Sequence, residues 1–315
     1  MTALPHKQLP SRGSVVLALI AVYLIWGSTY LGLRFGLEGF PPFLLNGFRF
    51  LMAGGALALF LLTRGKLKAT RAQVWNAARV GTVMLVGGVG LVTLSQSLGI
   101  GSGVAATAVA VIPVWAAVVS GLFGDWPQRR ELLGLGLGLA GVVLLALEGD
   151  FRSSPTGLAL IVIAPILWSF GSVWGTRLDL PDPLASTSIQ LGTAGVVMTA
   201  IGFLVGEGIV SPPSTTSWIA LIYLAVMGSL VAFTAFVYLM NKVRPALATS
   251  YAYVNPIVAV ALGLSLGNET ITGAIFVALP LILAAVALVA SSARTGRQTR
   301  MVKDRGVPRA QEEAA

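Results

Sequence analysis

The chain alternates long apolar runs with short polar connections. A helix needs about 20 mostly apolar residues to cross the hydrocarbon core of a bilayer. The strands of a transmembrane barrel would instead alternate apolar and polar positions, and these continuous runs do not. The pattern therefore predicts an all-α polytopic membrane protein with ten transmembrane helices. The predicted spans occupy residues 15–35, 43–63, 77–98, 102–123, 131–148, 157–175, 186–206, 217–240, 246–266 and 271–291.

The amino-acid composition agrees with a membrane protein. Of the 315 residues, 56% are hydrophobic and 10% are charged, and the mean hydropathy is +0.85. A soluble domain carries about 25% charged residues. The composition therefore excludes a soluble enzyme, a disordered chain and a nucleic-acid-binding domain. The lipid bilayer is the expected partner, and no nucleic acid is expected.

The residue types that carry metal and thiol chemistry are almost missing. Cysteine is absent, and the single histidine is His6 in the polar N-terminal tail. We therefore expect no disulfide, no metal site and no cofactor. We also expect no catalytic residues and no enzymatic activity, because there is no Walker A sequence and no histidine base within the membrane.

The positive charges lie mainly on one side of the predicted membrane. The net charge is +9, and 18 of the 21 Lys and Arg residues fall in the two tails and the even-numbered loops. Loops rich in Lys and Arg stay in the cytoplasm. Both termini, residues 1–14 and 292–315, are therefore predicted to be cytoplasmic tails of a protein of the bacterial inner membrane. An even number of spans agrees with this orientation.

The two halves of the chain resemble each other. Trp26 aligns with Trp168 at an offset of 142 residues, and five identities align at an offset of 143. The predicted repeats are residues 15–148 and 157–291, joined by a loop at 149–156. Each repeat has five spans, so the second must insert upside down relative to the first. Such inverted repeats are typical of secondary transporters that work by alternating access. The five identities pair Ala105, Val111, Pro113, Ala116 and Gly124 with Ala248, Val254, Pro256, Ala259 and Gly267.

Several short motifs carry a family resemblance. They are LIWGSTY at 24–30, Pro-Pro at 41–42 with Arg-Phe at 49–50, the Ala/Thr-rich fourth span around Pro113, and VNPI at 254–257 with Gly-Asn-Glu at 267–269. Together they resemble the EamA family of the drug/metabolite transporter superfamily over residues 15–291. The resemblance implies ten helices with both ends inside and export of small metabolites. Family substrates include amino acids, aromatic ones among them, and toxic compounds. One departure is Asp125-Trp126, where the family pattern has an acidic residue like Glu269.

Aromatic residues suggest a central binding cavity. Trp26, Thr29 and Tyr30 share one face of the first span because they stand at i, i+3 and i+4. Trp168 is the matching residue of the second half, so the two tryptophans are predicted to wall a cavity. Their rings would suit an apolar or aromatic solute, or a cation. The alternative is simple packing or a place in the interfacial aromatic belt.

Polar residues near two prolines extend the predicted site. Pro113 and Pro256 each remove a helical hydrogen bond, and such breaks mark hinges and half-helix sites in transporters. We expect Thr249 and Tyr253 to share a helix face at i, i+4 and to bind a polar head group. The alternative is hydrogen bonding between helices. The remaining residues assigned to substrate binding by their position are Gln96, Thr107 and Asn255.

Arg49 and the acidic residues complete the sequence picture. Arg49 lies within the second span, where it either binds a carboxylate or reaches outward and caps backbone carbonyls. Acidic residues fall at span ends or in loops, whereas proton-driven carriers usually need a buried titratable group. The sequence therefore favours facilitated transport or exchange of amino acids or similar small molecules. A drug/proton exchanger and a membrane partner protein without transport are the alternatives, and the oligomeric state is left open.

Overall fold

The computed structural model describes residues 12–146, residues 154–266 and scattered positions between 277 and 288. All regular secondary structure in these residues is helical. The helices are α1 (Arg12–Leu37), α2 (Pro42–Thr63), α3 (Arg71–Ser97), α4 (Ser102–Val109), α5 (Ile112–Leu122), α6 (Arg129–Ala146), α7 (Pro155–Gly175), α8 (Pro183–Leu204), α9 (Thr215–Lys242), α10 (Pro245–Ala248) and α11 (Tyr251–Leu266).

Six helices among the described residues are long and apolar enough to cross a membrane: α1, α2, α3, α7, α8 and α9. The prediction of an all-helical, polytopic membrane protein is therefore confirmed. The predicted fourth span consists of two helices, α4 and α5, and the predicted ninth span consists of α10 and α11. The predicted tenth span at 271–291 lies mostly outside the described residues, so the count of ten stays a prediction.

The two interruptions differ in their relation to proline. In the fourth span the helix stops at Val109, one turn before Pro113, and Pro113 then stands in the first turn of α5. In the ninth span the interruption falls at Thr249 and Ser250, whereas Pro256 lies inside the continuous helix α11. Helix α11 therefore continues through Pro256, and the hinge at this residue stays a prediction.

Helices α2 and α8 pack backbone against backbone. A Cβ atom on Gly54 would lie 2.6 Å from the backbone nitrogen of Gly192, and one on Gly195 would lie 2.7 Å from that of Leu51. Residue numbers rise along one helix as they fall along the other, so the two helices run antiparallel. Both helices have 22 residues and begin with a proline, 141 positions apart. This is the relative direction expected for the second spans of two oppositely inserted repeats.

The N-terminus of α2 is capped from the other half of the chain. Pro41 provides no side-chain cap to α2. The carboxylate of Glu207 instead accepts hydrogen bonds from the backbone N–H groups of Phe43 (3.1 Å) and Leu44 (2.9 Å). A carboxylate at a helix N-terminus satisfies free donors and complements the helix dipole. Glu207 therefore fixes the end of α8 against the start of α2.

Two membrane-spanning helices contain a stretch of π-helix. These stretches are Thr82–Gly90 in α3 and Leu224–Val231 in α9. Their starts are 142 residues apart, which is also the offset between Trp26 and Trp168. π-helical turns are rare and occur frequently at functional sites. Each stretch contacts a different one of these two tryptophans, so both stretches lie beside the candidate site.

Candidate functional site

Five aromatic side chains meet in the interior of the bundle. The rings of Trp26 (α1) and Trp168 (α7) approach edge to face, with centroids 5.4 Å apart. Tyr251 of α11 lies 4.6 Å from Trp26, and Phe236 of α9 lies 5.2 Å from Trp26 and 5.4 Å from Trp168. Phe233 completes the cluster at 6.2 Å from Trp168. Both tryptophans are buried, so neither belongs to an interfacial belt.

A small cavity of about 70 Å³ adjoins this aromatic cluster. Six residues singled out from the sequence line it, and they come from four different helices. They are Trp26, Thr29, Tyr30, Arg49, Trp168 and Asn255. The rest of the central cavity is formed by Leu33, Gly88, Val89, Val92, Val109, Ile112, Ala164, Pro165 and Tyr251. Arg49 is the charged residue among the described residues that line it.

The indole groups of the two tryptophans have different polar surroundings. Trp26 Nε1 donates to the carbonyl of Gly228 at 2.9 Å. Trp168 Nε1 and Asn255 Oδ1 have no hydrogen-bond partner of good geometry among the described residues. The Tyr251 hydroxyl lies beside the Trp168 side chain, and the Tyr30 hydroxyl lies beside that of Asn255. Each of these two polar groups at the cavity therefore has a tyrosine hydroxyl as its neighbour.

Arg49 is buried with only neutral partners. Its side chain extends from α2, and the residue is 4% exposed. Nε donates to Ser229 Oγ at 2.9 Å, and Nη1 donates to Asn46 Oδ1 at 3.3 Å. The guanidinium carbon lies 4.8 Å from the centroid of the Phe50 ring. The alternative that Arg49 reaches outward or caps carbonyls is therefore wrong, because its side chain points into the bundle and bonds side-chain oxygens.

The π-helical stretches place glycines against the site. A Cβ atom on Gly228 would lie 3.0 Å from Thr29 Cγ2 and 3.3 Å from Arg49 Nη2. A Cβ atom on Gly88 would lie 2.9 Å from Trp168 Cε3. Each stretch thus lets a tryptophan of the other half of the chain approach its backbone, Trp26 at Gly228 and Trp168 at Gly88.

Tyr253 and Thr249 lie away from the central cavity. Tyr253 is fully buried against Gly138, and its hydroxyl donates to the Leu135 carbonyl at 3.4 Å. Thr249 donates its hydroxyl to the Pro245 carbonyl at 2.8 Å. The expectation that these two residues share a face of one continuous helix is wrong, because α10 ends at Ala248 and Tyr253 belongs to α11. Tyr251 was missed for the same reason, since the interruption changes which residues face α1.

Gln96 and Thr107 are also not part of this arrangement as described. Gln96 lines a second, larger space of about 580 Å³, here called the vestibule. The side chain of Thr107 lies outside the described residues, although its backbone belongs to α4. The vestibule lies between the ends of α1, α3 and α8, and the predicted topology puts these ends outside the cell. It is lined by Arg34, Glu38, Phe40, Pro42, Gln96, Ile100, Val210 and Ser211, among others.

A buried ion pair that no sequence pattern marks joins α6 to the residue before α10. Glu131, at the start of α6, is 1% exposed, and its Oε1 lies 2.8 Å from Nε of Arg244. Its second oxygen accepts from the backbone N–H of Gln128 at 2.9 Å. Arg244 immediately precedes α10, so the pair joins the two predicted repeats. A Glu that directly follows two arginines resembles an ordinary helix start, and only the fold shows its partner.

With this geometry in place, comparison with known proteins becomes informative. The model of the EamA-like transporter family matches residues 13–147 and again residues 155–291. The chain belongs to the EamA-like transporter family. The members of this family to which it is similar are transporters rather than enzymes. The protein is thus a multi-pass membrane transporter.

The names of individual relatives differ in how specifically they describe a transported substrate. The "uncharacterized inner membrane transporter YedA" of Escherichia coli K12 is 43% identical over 272 residues, which cover 86% of this chain and 89% of that protein. The "probable amino-acid metabolite efflux pump" of Salmonella typhimurium LT2 is 22% identical over 306 residues, covering 92% and 99%. One protein of known crystal structure has a sequence 22% identical to this chain. The two structures align over 90% of this chain and 100% of the other chain, with a TM-score of 0.73. This similarity shows a shared fold and nothing further.

Proposed function

We propose that this transporter exports small metabolites across the bacterial inner membrane, amino acids in particular and aromatic ones among them, as a secondary carrier. The observation that carries the proposal is the central cavity. Trp26, Trp168, Arg49 and Asn255 converge on it from helices of both predicted repeats. Aromatic walls, one cation and a few polar side chains form the kind of site that fixes a small molecule with a polar head and an apolar body.

Alternating access between two inverted repeats is the proposed mechanism. Support comes from the antiparallel packing of α2 and α8 and from the two π-helical stretches at the same offset. Trp26 contacts the stretch in α9, and Trp168 contacts the stretch in α3. Each half therefore holds a tryptophan against the other half. Exchange of the two halves' conformations would move both tryptophans and would open the cavity to alternate sides.

The size of the central cavity indicates that the site must open to accept its substrate. A cavity of roughly 150 Å³ is needed to hold benzene, whereas this one measures about 70 Å³. An aromatic amino acid is larger still. The aromatic cluster must therefore part during transport, and the 580 Å³ vestibule is the proposed route on the outer side.

The residues that line the cavity support the proposed substrate, and the names of relatives support the proposed location. The cavity contains Arg49, which would repel a cationic drug, and this favours amino acids over the multidrug alternative. No Asp or Glu is found among the described residues that line the cavity, which supports facilitated transport or exchange over proton coupling. The name of the relative YedA supports a location in the inner membrane. The distribution of Lys and Arg residues supports an orientation with both termini in the cytoplasm.

Transport by purified protein in proteoliposomes tests the proposal. The panel would contain labelled aromatic, aliphatic and acidic amino acids, a nucleoside and a cationic dye, each with and without a pH gradient. We expect saturable uptake of amino acids without the gradient, and a loss of uptake in Trp168→Ala. The matched control is Trp126→Ala, because Trp126 is 67% exposed. Uptake of the dye alone, or uptake only under the gradient, would support the drug/proton exchanger instead. No uptake of any of these compounds would overturn the assignment of amino acids as substrates.

A further inference from the structure

The central cavity contains a buried positive charge without a counter-ion. Two ion pairs occur among the described residues, Arg177 with Asp125 and Arg244 with Glu131. Arg49 belongs to neither, although it is 4% exposed. A buried charge is costly unless it is paired, and charged residues within membrane spans are usually functional. The charge of Arg49 therefore needs an explanation beyond packing.

The neighbours of Arg49 orient its guanidinium but do not neutralise it. Ser229 Oγ, which accepts from Nε, itself donates to the carbonyl of Leu224 at 2.9 Å. Asn46 Oδ1 accepts from Nη1, and the amide of the same residue donates to the Pro42 carbonyl at 3.1 Å. These chains of hydrogen bonds anchor both partners to backbone. Arg49 is thus held in one place, with its charge available to a molecule in the cavity.

The geometry of the cavity points to a carboxylate as the matching group. A guanidinium presents a planar fork of donors that fits a carboxylate with two parallel hydrogen bonds. A doubly charged phosphate would call for a second cation, and the described lining has Arg49 alone. Asn255 lines the same cavity beside the Tyr30 hydroxyl, and its amide oxygen suits a donor such as an ammonium group. The aromatic cluster would contact the apolar remainder of the molecule.

We propose that Arg49 determines substrate specificity by binding the carboxylate of the transported molecule, so that only compounds with this group are carried. The assignment rests on the proposed transport function and narrows its substrate class. Compounds of the same shape that lack a carboxylate would then leave the buried charge of Arg49 uncompensated, and they would be rejected.

Competition by analogues tests this on the unmodified protein. Proteoliposomes would take up labelled phenylalanine in the presence of unlabelled phenylalanine, 3-phenylpropionate, phenylalaninamide or phenethylamine. We expect the two carboxylates to compete and the amide and the amine to compete at least about tenfold less well, which corresponds to one charge-assisted hydrogen bond. Equal competition by phenylalaninamide would overturn the role of Arg49 while leaving the transport function intact.

Variants of Arg49 test the same assignment from the protein side. In Arg49→Gln we expect the KM for phenylalanine to rise about 10- to 100-fold and the preference for the acid over the amide to disappear. Arg49→Lys should keep the preference in part, because it keeps the charge but loses the fork. Arg64→Gln is the control, because Arg64 is exposed at the other end of the same helix.

Folding and function are separated by two further measurements. Each variant would be checked by size-exclusion chromatography, and quenching of tryptophan fluorescence by phenylalanine and by its amide would be measured in the unmodified protein. Quenching by the acid alone supports the assignment even if Arg49→Gln fails to fold. An unchanged acid-to-amide ratio in a folded Arg49→Gln overturns it. Absence of uptake and of quenching for every amino acid overturns the proposed function, and this assignment with it.

Discussion

Trp26 donates its indole N–H to the carbonyl of Gly228, a residue 202 positions away on α9, at 2.9 Å. Trp168, its counterpart in the second half, packs against Gly88 of α3, but its own N–H has no such acceptor. The two halves therefore use the same contact between a tryptophan and a π-helical glycine with different polar chemistry. In this pair, the Trp26 indole links α1 to α9 by a hydrogen bond to backbone, whereas the Trp168 indole lies beside the Tyr251 hydroxyl at the cavity.

Replacement of each tryptophan by phenylalanine should separate these two roles. Trp26→Phe leaves the buried Gly228 carbonyl without its donor, so we expect a loss of about 1–3 kcal/mol in stability. Trp168→Phe removes a donor without a good protein partner, so stability should fall less, while the KM for substrate should rise by about 2- to 10-fold. Thermal unfolding in detergent and uptake by proteoliposomes measure the two effects. Equal loss of stability in both variants would contradict the asymmetry.

Gly228 should not tolerate even one methyl group. In Gly228→Ala the new Cβ would lie 3.0 Å from Thr29 Cγ2 and 3.3 Å from Arg49 Nη2. Tight packing transmits such a displacement, so we expect a lowered transport rate in a protein that still inserts and folds. Gly136→Ala on α6 is the control, because its Cβ would meet no atom within 4 Å. Normal transport by Gly228→Ala would show that the position of Arg49 matters less than proposed.

Two adjacent glycines of α2 provide a sharper test of helix packing. A Cβ atom on Gly54 would lie 2.6 Å from the Gly192 backbone, whereas one on Gly55 would meet nothing within 4 Å. Because backbone atoms cannot move aside, Gly54→Ala should cost more than about 2 kcal/mol. Gly55→Ala should be neutral or slightly stabilising, since alanine favours a helix. Apparent melting temperatures of the two variants measure the difference, and similar values would argue against the close approach of α2 and α8.

The helices and half of the site could be predicted from the sequence. Six helices with membrane-spanning length follow from apolar runs, Trp26 and Trp168 were singled out by the repeat offset, and Asn255 was singled out by its place beside Pro256. The meeting of Gly54 with Gly192 could not be predicted, because glycine is common throughout the chain and only the fold shows which glycines face each other. Glu131 was overlooked for a related reason, since its partner Arg244 is distant in sequence.

Errors in the site come mainly from the interrupted ninth span. Helical spacing was extended from Thr249 through Tyr253, but α10 ends at Ala248 and the next helix starts at Tyr251. Residues that follow such an interruption face directions that cannot be inferred from the helical spacing before it. The break falls after a short helix that begins at Pro245, and no glycine or proline marks it in the sequence.

Tyr251 and Tyr253 should therefore differ in their effect on transport. Tyr251 contacts Trp26 and lines the cavity, whereas Tyr253 packs against Gly138 and Leu135. We expect Tyr251→Ala to reduce uptake strongly, and Tyr253→Phe to leave uptake unchanged because it loses one long hydrogen bond. Uptake measured at equal amounts of inserted protein tests both. Reduced uptake in Tyr253→Phe alone would instead support Tyr253 as the substrate-binding residue, as helical spacing predicted.

The ion pair between Glu131 and Arg244 should show an asymmetric response to mutation. Glu131 is 1% exposed, but the side chain of Arg244 is 34% exposed and can turn towards water once its partner is gone. Arg244→Gln leaves a carboxylate buried without its cation, so we expect a loss approaching about 3 kcal/mol. Glu131→Gln should cost less, and the double variant should be more stable than Arg244→Gln alone. The exposed pair of Asp125 and Arg177 is the reference, and Asp125→Asn should cost under about 1 kcal/mol. Equal melting temperatures for Arg244→Gln and Asp125→Asn would mean that burial adds nothing to this contact between the two halves.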